Sequence, residues 1–236
     1  MKILCVILAR GGSKAIPGKN IKDLAGHPLL SYTILEAKKS EYIDRIIVSS
    51  DDDSIRDVAV KYGAEAPFRR PEELSTDTAK PVECILHATK WVESHSGIKY
   101  DYVVELLCTN PFKTVDDIDA AIEMQIETNA DSVIAVTPLE DHHPIRIKKI
   151  VGGKIRDFNS TLVEVPESRR QDLKPDAYIR CGSIYCMRRD MLEQGIRYGT
   201  EDSRAYIIPR ERVVNIDEPM DFVIADILMK RKNEEW

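Results

Sequence analysis

The chain has 236 residues, of which 43% are hydrophobic and 31% charged, a composition typical of a folded globular protein and unlike that of a disordered chain. This length suits one large α/β domain with a small insertion, because two full domains would be cramped. The net charge of −6 argues against the broad cationic surface with which proteins bind nucleic acid.

Five scattered cysteines, with no CxxC pair, predict neither a zinc site nor a disulfide framework. They favour a reducing environment, and we expect a cytoplasmic protein. The apolar run at the N-terminus ends at Arg10 and is too short to span a bilayer, so no membrane association is expected.

Apolar periodicity predicts alternating strands and helices over the first 140 residues. Continuous apolar runs typical of buried strands occupy residues 2–9, 45–50, 64–68, 101–108 and 132–137. Helical spacing occurs between them, at residues 28–38, 55–59, 77–94 and 116–129. This alternation predicts a doubly wound, mostly parallel α/β sheet.

The pattern changes after residue 140. Strand-like segments at 145–150 and 154–158 flank the turn residues Gly152-Gly153, and a polar stretch without periodicity follows at 159–177. Strands at 183–187 and 205–209 and a helix at 218–230 then restore the α/β pattern. We therefore predict a core of residues 1–140 and 178–236, and a protruding hairpin and arm at 141–177.

The loop after the first predicted strand reads Arg-Gly-Gly-Ser-Lys-Ala-Ile-Pro-Gly-Lys-Asn and lies at the strand's carboxyl end, where such sheets bind ligands. Gly11 and Gly12 let backbone amides approach phosphate oxygens, while Arg10, Lys14 and Lys19 supply cations. The loop is neither a Walker A nor a GxGxxG motif, which disfavours an ATPase or a dehydrogenase. A solvated surface turn is the alternative, and the preceding strand and the second lysine favour phosphate binding.

This loop resembles the signature of the acylneuraminate cytidylyltransferases, the CMP-sialic acid synthetase family, A-R-G-G-S-K-x-I-P-x-K-N, with every fixed position present. Further matches span nearly the whole chain, at residues 24, 26, 28, 29, 50–51, 70–74, 77–79, 169–172, 178, 182, 185 and 216–217. The resemblance implies a Rossmann-like nucleotidyltransferase and a homodimer. It also implies that the hydroxyl of an acidic 2-keto sugar attacks the α-phosphate of CTP, with Mg²⁺ assistance, and that pyrophosphate leaves.

The resemblance also implies site residues. The implied catalytic residues are Arg10, Lys19 and Asp217, and those for the nucleotide are Arg10, Gly11, Gly12, Ser13, Lys14, Lys19, Asn20 and Arg70. Asn20 would order the loop or touch the nucleotide, and Arg70 would reach the base or ribose. Asp217 would hold Mg²⁺ with a weak contribution from Asn215, and its alternative is a helix N-cap.

For the acidic sugar, the resemblance implies Thr109, Asn110, Arg169, Arg170, Gln171 and Tyr178. Paired arginines suit a carboxylate, although a solvated basic run is the alternative. The residues His142, His143, Pro144 and Arg146 match a region that dimers of the family direct toward the neighbouring subunit.

Three positions depart from the family pattern, and all bear on the metal or the sugar. Asn215 replaces one of two aspartates, Leu107 replaces a glutamine that lines the sugar pocket, and Cys181 replaces an asparagine. With the nucleotide loop intact, these changes lead to the hypothesis that the acceptor is a relative of sialic acid, such as a diamino nonulosonate, instead of N-acetylneuraminate.

Other functions stay open on the sequence alone. A glycosyltransferase would use residues 51–53, Asp-Asp-Asp, as a DxD metal motif, although carboxylates are also favoured at a helix start. The 3-deoxy-manno-octulosonate branch, another sugar nucleotidyltransferase, or a non-catalytic nucleotide or sugar binder are further alternatives. The arm sequence Arg-Arg-Gln-Asp favours the acylneuraminate branch.

Overall fold

A six-stranded mixed sheet forms the centre of the computed structural model, which describes residues 1–139 and 142–234. In chain order the elements are β1 (Ile3–Leu8), β2 (Asp23–Leu24), β3 (His27–Pro28), α1 (Leu29–Ala37), β4 (Arg45–Ser49), α2 (Asp53–Tyr62), α3 (Pro81–Ser96), β5 (Tyr102–Leu106), α4 (Val115–Thr128), β6 (Ser132–Pro138), β7 (Lys148–Val151), β8 (Lys154–Asp157), β9 (Tyr178–Arg188), α5 (Arg189–Glu193), β10 (Ser203–Ile207) and α6 (Pro219–Glu234).

The strand order is β10-β6-β9-β5-β1-β4, and all these strands are parallel except β9, which runs antiparallel to both β5 and β6. Alternate residues of β1 enter opposite cores. Ile3, Cys5 and Ile7 pack with α1, α2 and α4, whereas Leu4 and Val6 pack with α3 and α5. Helices therefore cover both faces, and the predicted doubly wound, mostly parallel α/β fold is confirmed.

The strand predicted at residues 64–68 is wrong. This segment makes only isolated bridges beside β4, Ile47 with Glu65 and Ser50 with Arg69. Pro67 lies between the two bridges, and because proline has no backbone N–H it cannot continue a ladder. The segment serves instead as an extended edge that leads to Arg70.

The hairpin and arm lie between β6 and β9. β7 and β8 pair antiparallel around Gly152-Gly153, but β7 begins at Lys148, later than predicted, because residues 144–146 form a 3₁₀ turn. Pro138 and Tyr178 pair across β6 and β9, so the chain leaves and re-enters the sheet at one point. The role of residues 141–177 as a dimerisation element and sugar-site lid stays a prediction.

All five cysteines are free and buried. Among the described residues, no helix is both long enough and apolar enough to cross a membrane.

Candidate active site

A cavity of about 340 Å³ opens at the carboxyl ends of β1 and β5. Its lining comes from the loop after β1, from residues 70–84, from β5 and the loop that follows it, from β9 and from Arg197. Six residues predicted from the sequence line it together, namely Arg10, Ser13, Lys19, Asn20, Arg70 and Thr109. The structure thus brings most of the expected nucleotide residues and one expected sugar residue to one place.

Asn20 closes the loop that follows β1. Its buried side chain donates from Nδ2 to the backbone oxygen of Arg10 at 2.9 Å, and its Oδ1 accepts from the thiol of Cys108 at 3.0 Å. Gly18, in the left-handed region at φ 63°, starts the 3₁₀ turn that carries Lys19 and Asn20. Asn20 therefore orders the loop by joining its two ends.

Gly11 is held closely against the start of α2. Its amide donates to Oδ1 of Asp51 at 3.1 Å, and a Cβ atom at position 11 would lie 2.8 Å from Oδ2 of Asp52. At Gly12, by contrast, an added Cβ would meet no atom within 4 Å. Only the first of the two glycines is required by the fold itself.

Arg70 is fixed in the cavity wall beside this loop. Its side chain is 4% exposed, its Nε donates to Oγ of Ser75 at 3.2 Å, and Nη2 lies 3.5 Å from Oδ1 of Asp51. Its backbone amide bonds to Ser50 at the end of β4. Asp51 thereby links Arg70 to Gly11.

Two loop cations share one carboxylate. Nη1 of Arg10 donates to Oδ1 of Asp77 at 2.6 Å, and Lys14 pairs with the other oxygen of the same carboxylate. Hydrogen bonds from Lys14 and Arg10 hold the pKa of Asp77 below its usual value. In the protein without ligand, Asp77 is therefore paired with two cations whose charge suits a phosphate chain.

Lys19 connects the loop to the segment before α6. Its Nζ donates to the backbone oxygen of Ile216 at 2.7 Å and lies 3.5 Å from Oδ1 of Asp217. Nδ2 of Asn215 donates to Oδ2 of Asp217 at 2.5 Å. The carboxylate of Asp217 is 64% exposed, beside a lysine that lines the cavity.

Asp217 does not cap α6. Its side chain is directed to Lys19 and Asn215, while the amides of Asp217 and Glu218 donate to Oδ2 of Asp221 at 3.0 and 2.8 Å. The carboxylate at 217 therefore has no capping role that would compete with metal binding.

The residues around Asp217 fit a metal that keeps much of its water. Within the described part of the chain, no group of three or more Asp, Glu, His and Cys side chains could hold a metal by itself. Mg²⁺ commonly takes one or two carboxylates, several waters and the phosphates of its substrate. A single exposed carboxylate next to a loop whose cations suit a phosphate chain meets that requirement.

A buried lysine supports the loop after β5. Nζ of Lys113 donates to the backbone oxygens of Leu107 and Asn110 at 2.8 and 2.5 Å and to Oγ1 of Thr33 at 2.9 Å. Burial lowers the pKa of Lys113 to about 8. The lysine thus fixes the segment that presents Leu107 and Thr109 to the cavity.

A family model described as "Cytidylyltransferase" matches residues 4–216, and this span covers the phosphate loop, Arg70 and Thr109. The chain belongs to the cytidylyltransferase family. The expected resemblance to the acylneuraminate cytidylyltransferases is confirmed, and the protein is an enzyme of this type.

Known relatives match this cytidylyltransferase along its length. Pseudaminic acid cytidylyltransferase of Campylobacter jejuni is 37% identical over 99% of both chains. CMP-N,N'-diacetyllegionaminic acid synthase of Legionella pneumophila is 31% identical over 99% of both. N-acylneuraminate cytidylyltransferase A of Danio rerio is 32% identical over 95% of this chain and 50% of its own length.

A solved structure of CMP:2-keto-3-deoxy-manno-octonic acid synthetase complexed with CTP superimposes with a TM-score of 0.72. At 17% identity, it covers 98% of this chain and 100% of its own. This likeness supports the fold of the cytidylyltransferase and does not decide between acceptor sugars.

The other expected sugar residues of this cytidylyltransferase do not line the main cavity. Asn110 is fully buried, with Nδ2 3.4 Å from the backbone oxygen of Cys181. Arg170, Gln171 and Tyr178 line a second cavity of about 370 Å³, between the arm and the ends of β6 and β9. Arg169 is exposed and pairs with Asp172. Their role in sugar binding stays a prediction.

The residues expected near a neighbouring subunit hold the arm in place. His143 is buried, with Nε2 2.8 Å from the backbone oxygen of Pro175 and Nδ1 accepting from the amide of Ile145 at 3.3 Å. Arg146 donates to the backbone oxygen of Ser168 at 3.0 Å. Only His142 of this group is exposed.

The carboxylates of residues 51–53 have structural partners. Asp51 accepts from Gly11, and Oδ1 of Asp52 accepts the amides of residues 54 and 55 as the N-cap of α2. Asp53 pairs with Arg56 and Arg69 at 2.8 and 3.0 Å. Because these contacts fix the helix and the edge segment, they disfavour the glycosyltransferase interpretation of this run as a metal motif.

Three features of the site were not predicted from the sequence. Asp77 pairs with cations of the loop after β1, Lys113 supports the loop after β5, and Glu105 pairs with Arg197 in the cavity wall. Glu105 is an acidic residue within an apolar strand, and this contrast was a signal in the sequence. Nothing in the sequence indicated Arg197, because its partner Glu105 lies 92 residues away in the chain.

Proposed function

We propose that this enzyme transfers the cytidylyl group of CTP to an acidic 2-keto sugar of the nonulosonate class and releases pyrophosphate. The observation that carries the proposal is the convergence of Arg10, Lys19 and Arg70 on one cavity at the carboxyl ends of β1 and β5. Cations from two separate segments, the loop after β1 and the extended segment after β4, are held there by partners within the fold and suit a polyphosphate.

An in-line displacement at the α-phosphate requires charge neutralisation and alignment of the two reactants more than it requires a protein nucleophile. Arg10 and Lys19 supply the charge, and the exposed residue Gly12 lies in the loop between them. Arg70 contacts the base or ribose side of CTP. Thr109, on the loop after β5, lies on the side of the sugar.

We propose that Asp217 holds Mg²⁺, with its orientation set by Asn215. When bound, the ion neutralises charge on the phosphates, and Lys19 beside it adds a second positive charge. Asp217→Asn should raise the Mg²⁺ concentration needed for half-maximal pyrophosphate release, because it removes the one carboxylate ligand. Asp202→Asn, which changes an exposed carboxylate paired with Arg204, is the control. An unchanged Mg²⁺ requirement in Asp217→Asn would exclude this role.

The proposed acceptor is a nonulosonate with two nitrogen substituents. Relatives named for pseudaminic and diacetyllegionaminic acid cover 99% of this chain, and Leu107 and Cys181 replace hydrogen-bonding side chains of the sialic acid pattern. Pyrophosphate release with CTP and a panel of 2-keto acidic sugars tests the assignment. A clear preference for N-acetylneuraminate or for 3-deoxy-manno-octulosonate would contradict it.

The phosphate-binding role has a charge-matched test. Arg10→Ala combined with Lys19→Ala should abolish turnover and lower the affinity for CTP. Lys90→Ala combined with Arg204→Ala removes the same charge from exposed surface ion pairs and should change neither. If the first double variant kept wild-type affinity and turnover, the assignment would fail.

The base and the catalytic competence have separate tests. Thermal stabilisation by CTP, GTP, UTP and ATP at equal concentrations should be largest for CTP. CTP binding without pyrophosphate release for any acidic sugar would instead favour a non-catalytic binder.

We propose that the enzyme is a homodimer formed through the hairpin and arm. This segment exposes apolar side chains, namely Ile150, Val151, Ile155, Phe158, Val163 and Val165. An isolated two-stranded hairpin is marginally stable, and an exposed apolar patch of this kind suits a protein interface. The arm would then carry Arg169, Arg170 and Gln171 to the acceptor in the partner's cavity.

Sedimentation tests the dimer. Ile150→Lys with Ile155→Lys changes a cross-strand pair and should give a monomer, whereas Val60→Lys, on exposed α2, should not. Arm action in trans predicts that mixing inactive Arg10→Ala and Arg170→Ala subunits restores part of the activity. Mixtures without any recovered activity would argue against it.

The five buried free thiols support a cytoplasmic location.

A further inference from the structure

The cavity wall formed by β5 and β9 contains an ion pair that phosphate binding does not require. Glu105 and Arg197 both line the cavity, beside Leu107 and Tyr185. Because β1 lies between β4 and β5, its phosphate loop separates this wall from Arg70, which is bonded to the end of β4. With the nucleoside on the side of Arg70, the wall of β5 and β9 faces the acceptor.

Glu105 is placed where a charge is costly. It lies within the sheet, in register with Val6 of β1 and Tyr185 of β9, and its side chain is 2% exposed. Burial raises the pKa of its carboxyl group. Replacing such a pair by apolar side chains often leaves stability unchanged or increases it, so stability alone does not account for it.

Arg197 is aligned by two contacts. Its Nε and Nη2 each lie 2.5 Å from the same oxygen, Oε2 of Glu105, and its guanidinium lies 3.7 Å from the centre of the Tyr185 ring. Among the hydrogen bonds of the described residues, none uses Oε1 of Glu105 or Nη1 of Arg197. A hydrogen-bond acceptor and a donor are therefore left next to each other in the cavity wall.

The chemistry of the pair selects a neutral ligand group. The two charges cancel, so the pair gives a sugar carboxylate little net attraction. An amide, in contrast, needs one acceptor for its N–H and one donor for its carbonyl oxygen. Leu107 and the ring of Tyr185 provide apolar surface for the methyl group of an acetyl substituent.

We propose that Glu105 and Arg197 bind an acylamino group of the acceptor sugar and so determine acceptor specificity. The carboxylate of Glu105 accepts the amide N–H, and the guanidinium of Arg197 donates to the carbonyl oxygen. This inference rests on the proposed function, because it names the group that the acceptor presents at that wall.

The test compares acceptors that differ at one group. The probes are a nonulosonic acid with two acetamido groups and the two analogues in which one acetamido group is replaced by hydroxyl. We expect wild-type kcat/KM, at saturating CTP, to fall about 10- to 100-fold for one of these analogues, because hydrogen bonds to charged groups are lost. Glu105→Met with Arg197→Met should lose this discrimination while the KM for CTP stays unchanged.

A second ion pair provides the matched control. Glu93 and Arg189 are 2% and 14% exposed, as are Glu105 and Arg197, and pair at 2.9 Å outside the cavity. Glu93→Met with Arg189→Met should keep the wild-type discrimination. If the first double variant does not fold, Arg197→Lys keeps the charge, loses the planar fork, and should reduce the discrimination.

Two results would overturn the inference and leave the proposed function intact. One is wild-type activity that distinguishes neither hydroxyl analogue from the diacetamido acceptor. The other is unchanged discrimination in a folded variant of the pair. Absence of pyrophosphate release by the wild type with every acidic sugar would reject the proposed function itself.

Discussion

Gly11 and Gly12 are adjacent in the phosphate loop, yet substitution by alanine should have opposite consequences for folding. A Cβ atom at position 11 would lie 2.8 Å from Oδ2 and 3.0 Å from Cβ of Asp52. Rotation of the Asp52 side chain cannot relieve the contact with its own Cβ, so the backbone must shift. Oδ1 of Asp52 caps α2 through the amides of Ser54 and Ile55, at 2.8 and 3.2 Å.

The magnitude follows from these contacts. Loss of an N-cap costs about 0.5–2 kcal/mol, and weakening of the bond from the Gly11 amide to Asp51 adds about 1 kcal/mol. The lower entropy of alanine in the unfolded chain offsets about 0.4–1 kcal/mol. We expect Gly11→Ala to lose about 1.5 kcal/mol of the free energy of unfolding, and its Tm to fall by about 3–6 °C.

Gly12→Ala is the matched control, because its Cβ meets nothing within 4 Å. Its Tm should equal or slightly exceed that of the wild type. Its affinity for CTP should fall, since the methyl group lies on the surface that the phosphates approach. Thermal unfolding with and without CTP measures both effects. Equal Tm values for the two variants would refute the steric reasoning at Gly11.

Two further predictions concern charges. Asp77→Asn frees Arg10 and Lys14 from a competing carboxylate and should tighten CTP binding a few-fold by calorimetry, as expected for exposed ion pairs; weaker binding would mean that Asp77 itself assists the nucleotide. Burial lowers the pKa of Lys113 from 10.5 to about 8, so the unfolded chain binds this proton more tightly than the folded protein does. Between pH 7 and pH 9, wild-type stability to urea should therefore rise by about 1 kcal/mol relative to Lys113→Met, and a constant difference would contradict this.

Local pattern and position were enough to predict that Arg10, Lys19 and Arg70 meet at one cavity. The buried strand before Arg10 placed the loop at the carboxyl end of β1, and parallel strands gather such loops at one edge. Arg70 reaches the same edge through the extended segment beside β4. The segment itself was misjudged as a strand, because its apolar residues suit one but Pro67 interrupts the ladder.

The direction of β9 and the contacts across the sheet were not predictable in the same way. Buried runs look alike in parallel and antiparallel strands, and the direction of β9 is visible only in its pairing with β5 and β6. Asp77 and Arg197 meet their partners across 67 and 92 positions. Such contacts depend on the order of the strands in the sheet. The periodicity of a single segment gives no information about that order.

The junction of β6 and β9 also bears on how such enzymes diversify. The hairpin and arm begin and end next to one pair of residues, Pro138 of β6 and Tyr178 of β9. The length and composition of this segment can therefore vary without displacing a neighbouring strand. β9 and β5 lie between β6 and β1, so such variation leaves the loop after β1 in place. Related enzymes can thus differ in the hairpin and arm, and in the molecules that this segment contacts, while the nucleotide-activating core stays the same.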